Sequence, residues 1–92
     1  MLESVLHATV YFTGHVLGVG FRYTALQVAK EYEVAGYVQN LIDGRVLLEA
    51  EGRETEVEAF VAAVGERMHG YVRKAEVVKQ RRASIFQGFV IR

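Results

Sequence analysis

Leu6, Ala8, Val10 and Phe12 alternate with His7, Thr9, Tyr11 and Thr13, the period-two pattern of a strand that buries one face; it predicts a first strand over Leu6 to Thr13. From Phe21 the period changes. Phe21, Ala25, Val28, Ala29 and Tyr32 recur at helical spacing, which predicts a helix over Phe21 to Glu33. Strands are expected over Val34 to Leu41 and over Arg45 to Glu51, the latter with Val46, Leu48 and Ala50 on one face. Asp43-Gly44 between them reads as a hairpin turn, because glycine tolerates the positive φ that tight turns require. A second helix follows Gly52-Arg53. Its apolar stripe is Val57, Phe60, Val61, Val64 and Met68, Thr55 with Glu58 matches a capping box, and Gly70 is placed to end it. A fourth strand is predicted from Tyr71 to Lys79, and a short last strand carries Phe89 and Ile91 inward beside Val90.

The order β-α-β-β-α-β with a C-terminal strand belongs to the α/β (α+β) class and predicts a ferredoxin-like sandwich, an antiparallel sheet with two helices on one face. In a split β-α-β unit the first two strands run parallel with another strand between them, so their carboxyl ends emerge at the same edge. Asn40, late in the second strand, is therefore expected near the segment that follows the first.

That segment is Gly14-His15-Val16-Leu17-Gly18-Val19-Gly20-Phe21-Arg22. It leaves a strand, crosses a glycine-punctuated turn and opens a helix with an arginine. Glycines let the backbone curl so that N–H groups converge, and the helix start adds about half a positive charge from its aligned peptide dipoles. The combination describes an anion site suited to phosphate. A dinucleotide fingerprint is excluded because its third glycine is missing, and no Gly-Lys-Ser/Thr follows to make a P-loop.

Composition narrows the setting. Ninety-two residues make one domain, and no proline or linker-like run divides it. With no cysteine there is neither a disulfide framework nor a thiolate nucleophile or metal site. Eleven basic residues balance eleven acidic ones, so the chain as a whole has no general attraction for nucleic acid or anionic membrane. No apolar run approaches the roughly 18 residues of a membrane span and no signal pattern opens the chain, so a cytoplasmic protein is expected. The run from Met1 to Arg92 without a linker favours a free-standing enzyme, and a monomer is expected.

The residues resemble the acylphosphatase family over nearly the whole chain. That family carries a loop of the form G-x-V-Q-G-V-x-F-R and a strand ending G-x-V-x-N; the chain has Gly14 to Arg22 and Gly36-Tyr37-Val38-Gln39-Asn40. Asp43-Gly44-Arg45-Val46, Ala50-Glu51-Gly52 and Phe89-Val90-Ile91-Arg92 extend the similarity. The resemblance implies hydrolysis of acyl phosphates without metal or cofactor. The phosphate-binding loop would be Val16, Leu17, Gly18, Val19, Gly20, Phe21 and Arg22, with Arg22 holding the phosphate and Asn40 orienting the attacking water. Leu17 departs from the pattern, standing where the family usually has glutamine. Since backbone N–H groups form the cradle, and leucine supplies one equally, phosphate binding is expected to survive the change.

Two other classes compete. An RNA-binding module shares the element order, but its third strand should carry stacking aromatics, and Arg45-Val46-Leu47-Leu48-Glu49 offers none. A catalytically weak acyl-phosphate-binding or regulatory module is the closer rival. His7, His15 and His69 lack metal-ligand spacing and read as surface residues. Lys79, Arg81 and Arg82 read as a solvated loop, and Glu49, Glu51, Glu54, Glu56 and Glu58 as acids near the start of the second helix, where its dipole favours them.

Overall fold

The computed structural model describes residues 4–92 and orders them as β1 (Ser4–Gly14), α1 (Phe21–Ala29), β2 (Val34–Asn40), β3 (Val46–Gly52), α2 (Glu54–Arg67), β4 (Val72–Ala83) and β5 (Phe89–Ile91). The strands form a single sheet in the order β4-β1-β3-β2-β5. β3 pairs antiparallel with both β1 and β2, so β1 and β2 run parallel and end at the same edge, as the topology requires. β5 pairs with β2 in parallel; the sheet is therefore mixed and not purely antiparallel. Among the described residues no helix is long and apolar enough to cross a membrane.

Alternation along the strands decides what is buried. Leu6, Ala8, Val10 and Phe12 of β1, Val38 of β2 and Val46, Leu48 and Ala50 of β3 turn one face toward Phe21, Ala25 and Val28 of α1 and Val57, Phe60 and Val64 of α2. Two aromatic pairs tie the active edge to this core. Phe12 and Phe21 lie 4.9 Å apart between ring centroids, joining the end of β1 to the start of α1, and Phe60 meets Phe89 of β5 edge-on at 5.2 Å. Truncating a buried phenylalanine to alanine costs about 3–5 kcal/mol, so buried Phe12 and Phe21 fix both ends of the loop, whereas Phe89 is only half-buried and gives the short edge strand a single aromatic contact.

Several boundaries differ from the sequence expectation for identifiable reasons. α1 ends at Ala29, after which Glu31 and Tyr32 donate to Val28 and Ala29 in a tightened last turn before β2. Tyr32 nevertheless packs on Phe60 at 6.2 Å, which is why its spacing looked helical. The capping box is not formed: Arg53 is the N-cap without a side-chain bond, Thr55 lies inside the helix, and Glu54 and Glu56 face the dipole from its first turn. α2 closes at Arg67, three residues before Gly70.

β4 continues past Lys79 to Ala83 because β1 offers it partners as far as Ser4. Lys79, Arg81 and Arg82 thus belong to a strand, correcting the loop reading. Lys79 pairs with Glu58 at 2.6 Å, and Arg81 with Glu54. These pairs are exposed and worth little individually. Of the last strand, Phe89 points inward but Ile91 is 40% exposed.

The largest correction concerns the face of the sheet away from the helices. β4 lies at one edge and β5 at the other, so residues 84–88 run across that face and cover part of it. His7, expected on the surface, is 1% exposed beneath this strap, with Phe86 stacked on it at 5.9 Å. Its Nε2 lies 2.8 Å from Glu49, and its Nδ1 lies 3.5 Å from Glu51. Glu49 and Glu51 thus belong to this buried cluster and not to the helix start. His15 and His69 are exposed as expected.

Tyr37 completes the cluster by donating its hydroxyl to Glu49. Burial, reinforced by that hydrogen bond to a carboxylate, pushes the Tyr37 phenol up from 10.0 to about 12. The native state therefore keeps this proton to higher pH than the unfolded chain does. The associated stability is constant below the unfolded value of about 10 and is lost as pH rises through about 12. Ultraviolet titration is expected to reveal a tyrosinate step at about 12 that Tyr37→Phe lacks; an identical titration curve for the two proteins would remove the buried hydrogen bond.

Candidate active site

β1 delivers the chain to Gly14, and α1 takes it up at Phe21. Between them Gly18 and Gly20 adopt φ of 75° and 76°, left-handed conformations that L side chains rarely adopt. A Cβ at either position would meet nothing within 4 Å, so conformation and not space calls for glycine there. Gly20 is also the N-cap of α1, with no side-chain cap.

The first helical hydrogen bond runs from Thr24 N–H to the Gly20 carbonyl at 2.9 Å, which leaves the N–H groups of Phe21, Arg22 and Tyr23 without acceptors in the helix. Among the described residues, the loop N–H groups from Val16 to Gly20 find no backbone carbonyl either. No acidic residue occupies the first turn, so the positive end of the helix dipole is not neutralised from within.

Of the residues that carry these groups, Val16, Gly18, Gly20, Phe21, Arg22 and Tyr23 border an open cleft of about 240 Å³, whose lining Asn40 and Ile91 complete. Arg22, at the second position of α1, is half-buried and donates from Nη1 to the main-chain oxygen of Arg92 at 3.1 Å. Since that acceptor is a single main-chain oxygen, the remaining N–H groups of the fork are available to an anion. Asn40, the last residue of β2, is exposed and paired with Val46. The cleft thus joins a guanidinium, an array of free N–H groups and a neutral amide, and among the described residues no Asp or Glu side chain lines it.

Arg22 and Asn40, named from sequence, meet in this cleft together with Val16, Gly18, Gly20 and Phe21. Leu17 and Val19 do not line it: Leu17 is 40% exposed, and Val19 packs against the core. Two lining residues escaped the sequence reading. Tyr23 follows Arg22 in the first helical turn, and helix geometry alone would have placed it beside the N-terminus. Ile91 arrives through the parallel pairing of β5 with Val38, a contact between distant segments with no local signal.

A model of the acylphosphatase family matches residues 8–91. The chain belongs to the acylphosphatase family. An acylphosphatase of Archaeoglobus fulgidus is 49% identical over 55 residues, which are 60% of this chain and 62% of that protein. The match thus spans a little under two thirds of that relative's length. Among solved structures, the acylphosphatase from Bacillus subtilis aligns with a TM-score of 0.84 at 34% identity, over 94% of this chain and 97% of that one. HypF from T. kodakarensis aligns with a TM-score of 0.76 at 26% identity, over 95% of this chain but 12% of that one. The ferredoxin-like fold of an acylphosphatase can therefore also form a small part of a longer chain.

Proposed function

We propose that the cleft hydrolyses acyl phosphates to a carboxylate and inorganic phosphate, without a metal ion or other cofactor. The observation that carries this reading is the meeting of Arg22, the free N–H groups of the loop and helix start, and Asn40 in one cleft. Water attacks phosphorus, the bond from phosphorus to the carboxyl oxygen breaks, and the carboxylate departs. A carboxylate leaves readily, so the site needs little acid catalysis; it needs a positioned nucleophile and stabilised phosphoryl charge. Arg22 suits the second task because its planar fork can bond two phosphate oxygens at once. Asn40 offers both a donor and an acceptor and can orient water without acquiring charge. Leu17, whose side chain lies outside the cleft lining, is assigned no more than its N–H, which does not depend on the identity of that side chain. A cytoplasmic monomer is the setting we assign to this activity, a cysteine-free chain being suited to a reducing compartment.

A simple acyl phosphate incubated with the protein and a metal chelator is expected to release phosphate and carboxylate, while ordinary phosphate monoesters remain nearly untouched. Among the described residues no Asp, Glu or His side chain lines the cleft as a general acid for an alkoxide. Chelator-sensitive turnover, or equal rates on the two substrate classes, would sink the mechanism. A second reading, a binding or regulatory module with weak turnover, draws support from the fold's place within the much longer HypF chain. Phosphate binding without acyl phosphate hydrolysis in the same assay would favour it.

A further inference from the structure

Glu51 is 2% exposed, on a sheet face that plays no part in the proposed chemistry. Its Oε1 accepts three hydrogen bonds from the strap: Ser84 Oγ at 2.9 Å, Ile85 N–H at 2.7 Å and Phe86 N–H at 2.6 Å. Among the described residues its Oε2 finds no hydrogen-bond partner and faces His7 Nδ1, likewise unpartnered, at 3.5 Å. Burial works to raise the Glu51 pKa, but the strap hydrogen bonds outweigh it and hold the carboxyl below its ordinary value. One buried carboxylate therefore gathers two consecutive backbone N–H groups and a hydroxyl of a segment that has no sheet partner of its own.

The strap leads directly into β5. Gly88 C=O accepts from Gly36 N–H at 2.9 Å, Ile91 pairs with Val38, and Arg92 N–H donates to Val38 C=O at 2.9 Å. Ile91 lines the cleft, and the main-chain oxygen of Arg92 receives the Arg22 guanidinium. A second route converges on the same residue: the Arg92 guanidinium lies 4.0 Å over the Tyr37 ring, whose hydroxyl bonds Glu49, which in turn bonds His7. β5 is a three-residue edge strand, and a parallel ladder of that length holds its position weakly without an anchor on its approach.

We propose that Glu51 is a positioning residue for phosphate binding, anchoring the strap so that β5 presents the Arg92 oxygen that pre-orients Arg22. The proposal rests on the role assigned to Arg22 above. A guanidinium already held in place loses less conformational freedom when an anion binds. Loosening β5 should therefore weaken binding, while Asn40, on β2, continues to serve the attacking water.

Glu51→Gln tests this, since it keeps the shape but removes the charge, so that the three strap donors meet a neutral amide oxygen, a weaker acceptor than the carboxylate. The expected result is a rise of roughly three- to tenfold in both KM for acyl phosphate and Kd for inorganic phosphate, with kcat within about twofold of the parent. Amide hydrogen exchange should accelerate selectively at Phe89 to Arg92, relative to Leu48 and Ala50 in β3. Unchanged KM and Kd in the folded variant, or exchange that accelerates uniformly, would overturn the proposal and leave Glu51 a structural residue. If Glu51→Gln does not fold, Ser84→Ala removes one of the three donors from an exposed position, and the same shifts, smaller in size, are required of it. Absence of phosphate binding and turnover in the parent protein would refute the function proposed above, whereas selective exchange in β5 reports the anchoring without any ligand.

Discussion

Arg22→Gln is expected to lower kcat/KM for acyl phosphate by on the order of a hundredfold or more, a loss of about 2.7 kcal/mol of transition-state stabilisation. The side chain sits half-buried at the mouth of an uncapped helix, makes one hydrogen bond to a main-chain oxygen, and borders a cleft that no Asp or Glu side chain lines among the described residues. The other N–H groups of its fork are therefore open to an anion. Glutamine removes both the charge and the bidentate fork, so phosphate affinity and turnover should fall together. Arg22→Lys retains the charge alone, and an intermediate loss is expected because an ammonium cannot bond two phosphate oxygens in one plane. Stability should change little, since neither substitution touches the core cluster. Steady-state kinetics alongside thermal unfolding provide the check, and near-parental kinetics in folded Arg22→Gln would remove Arg22 from the mechanism.

The part of the molecule that carries this chemistry was legible in the sequence because its signals are local. A strand period, two glycines held in left-handed conformations and a helix period follow one another within Leu6 to Ala29. Only the placement of Asn40 required a topological step, and that step is forced once β1 and β2 are parallel around β3. The far face of the sheet was not legible. Alternation identifies the side of β1 that carries His7, but it cannot say that this side is covered, because the cover comes from residues 84–88 and depends on β4 and β5 lying at opposite edges. The same non-local fact turns Glu51 from one of several acids before a helix into a buried anchor with three donors. Lys79, Arg81 and Arg82 misled in a related way: the basic run is largely solvated, as expected, but reads as a loop until β1 is found to pair along its whole length with β4.

Asn40→Ala is expected to separate turnover from binding. The amide ends β2 at the edge of the sheet, exposed, with its backbone paired to Val46, so truncation should leave the glycine loop, Arg22 and the helix start undisturbed. Affinity for inorganic phosphate should stay within about twofold, whereas kcat should fall by on the order of a hundredfold or more, because an unheld water seldom reaches in-line geometry. Asn40→Asp sharpens the distinction. It restores an acceptor for the water but places a negative charge in the cleft that receives the anion, so both affinity and turnover should decline, and the deficit in affinity should shrink at high ionic strength as the charges are screened. Phosphate titration by calorimetry together with kcat on the two variants distinguishes the roles. If Asn40→Ala instead keeps its turnover and loses phosphate affinity, the amide is a phosphate ligand, and the attacking water is oriented by another group.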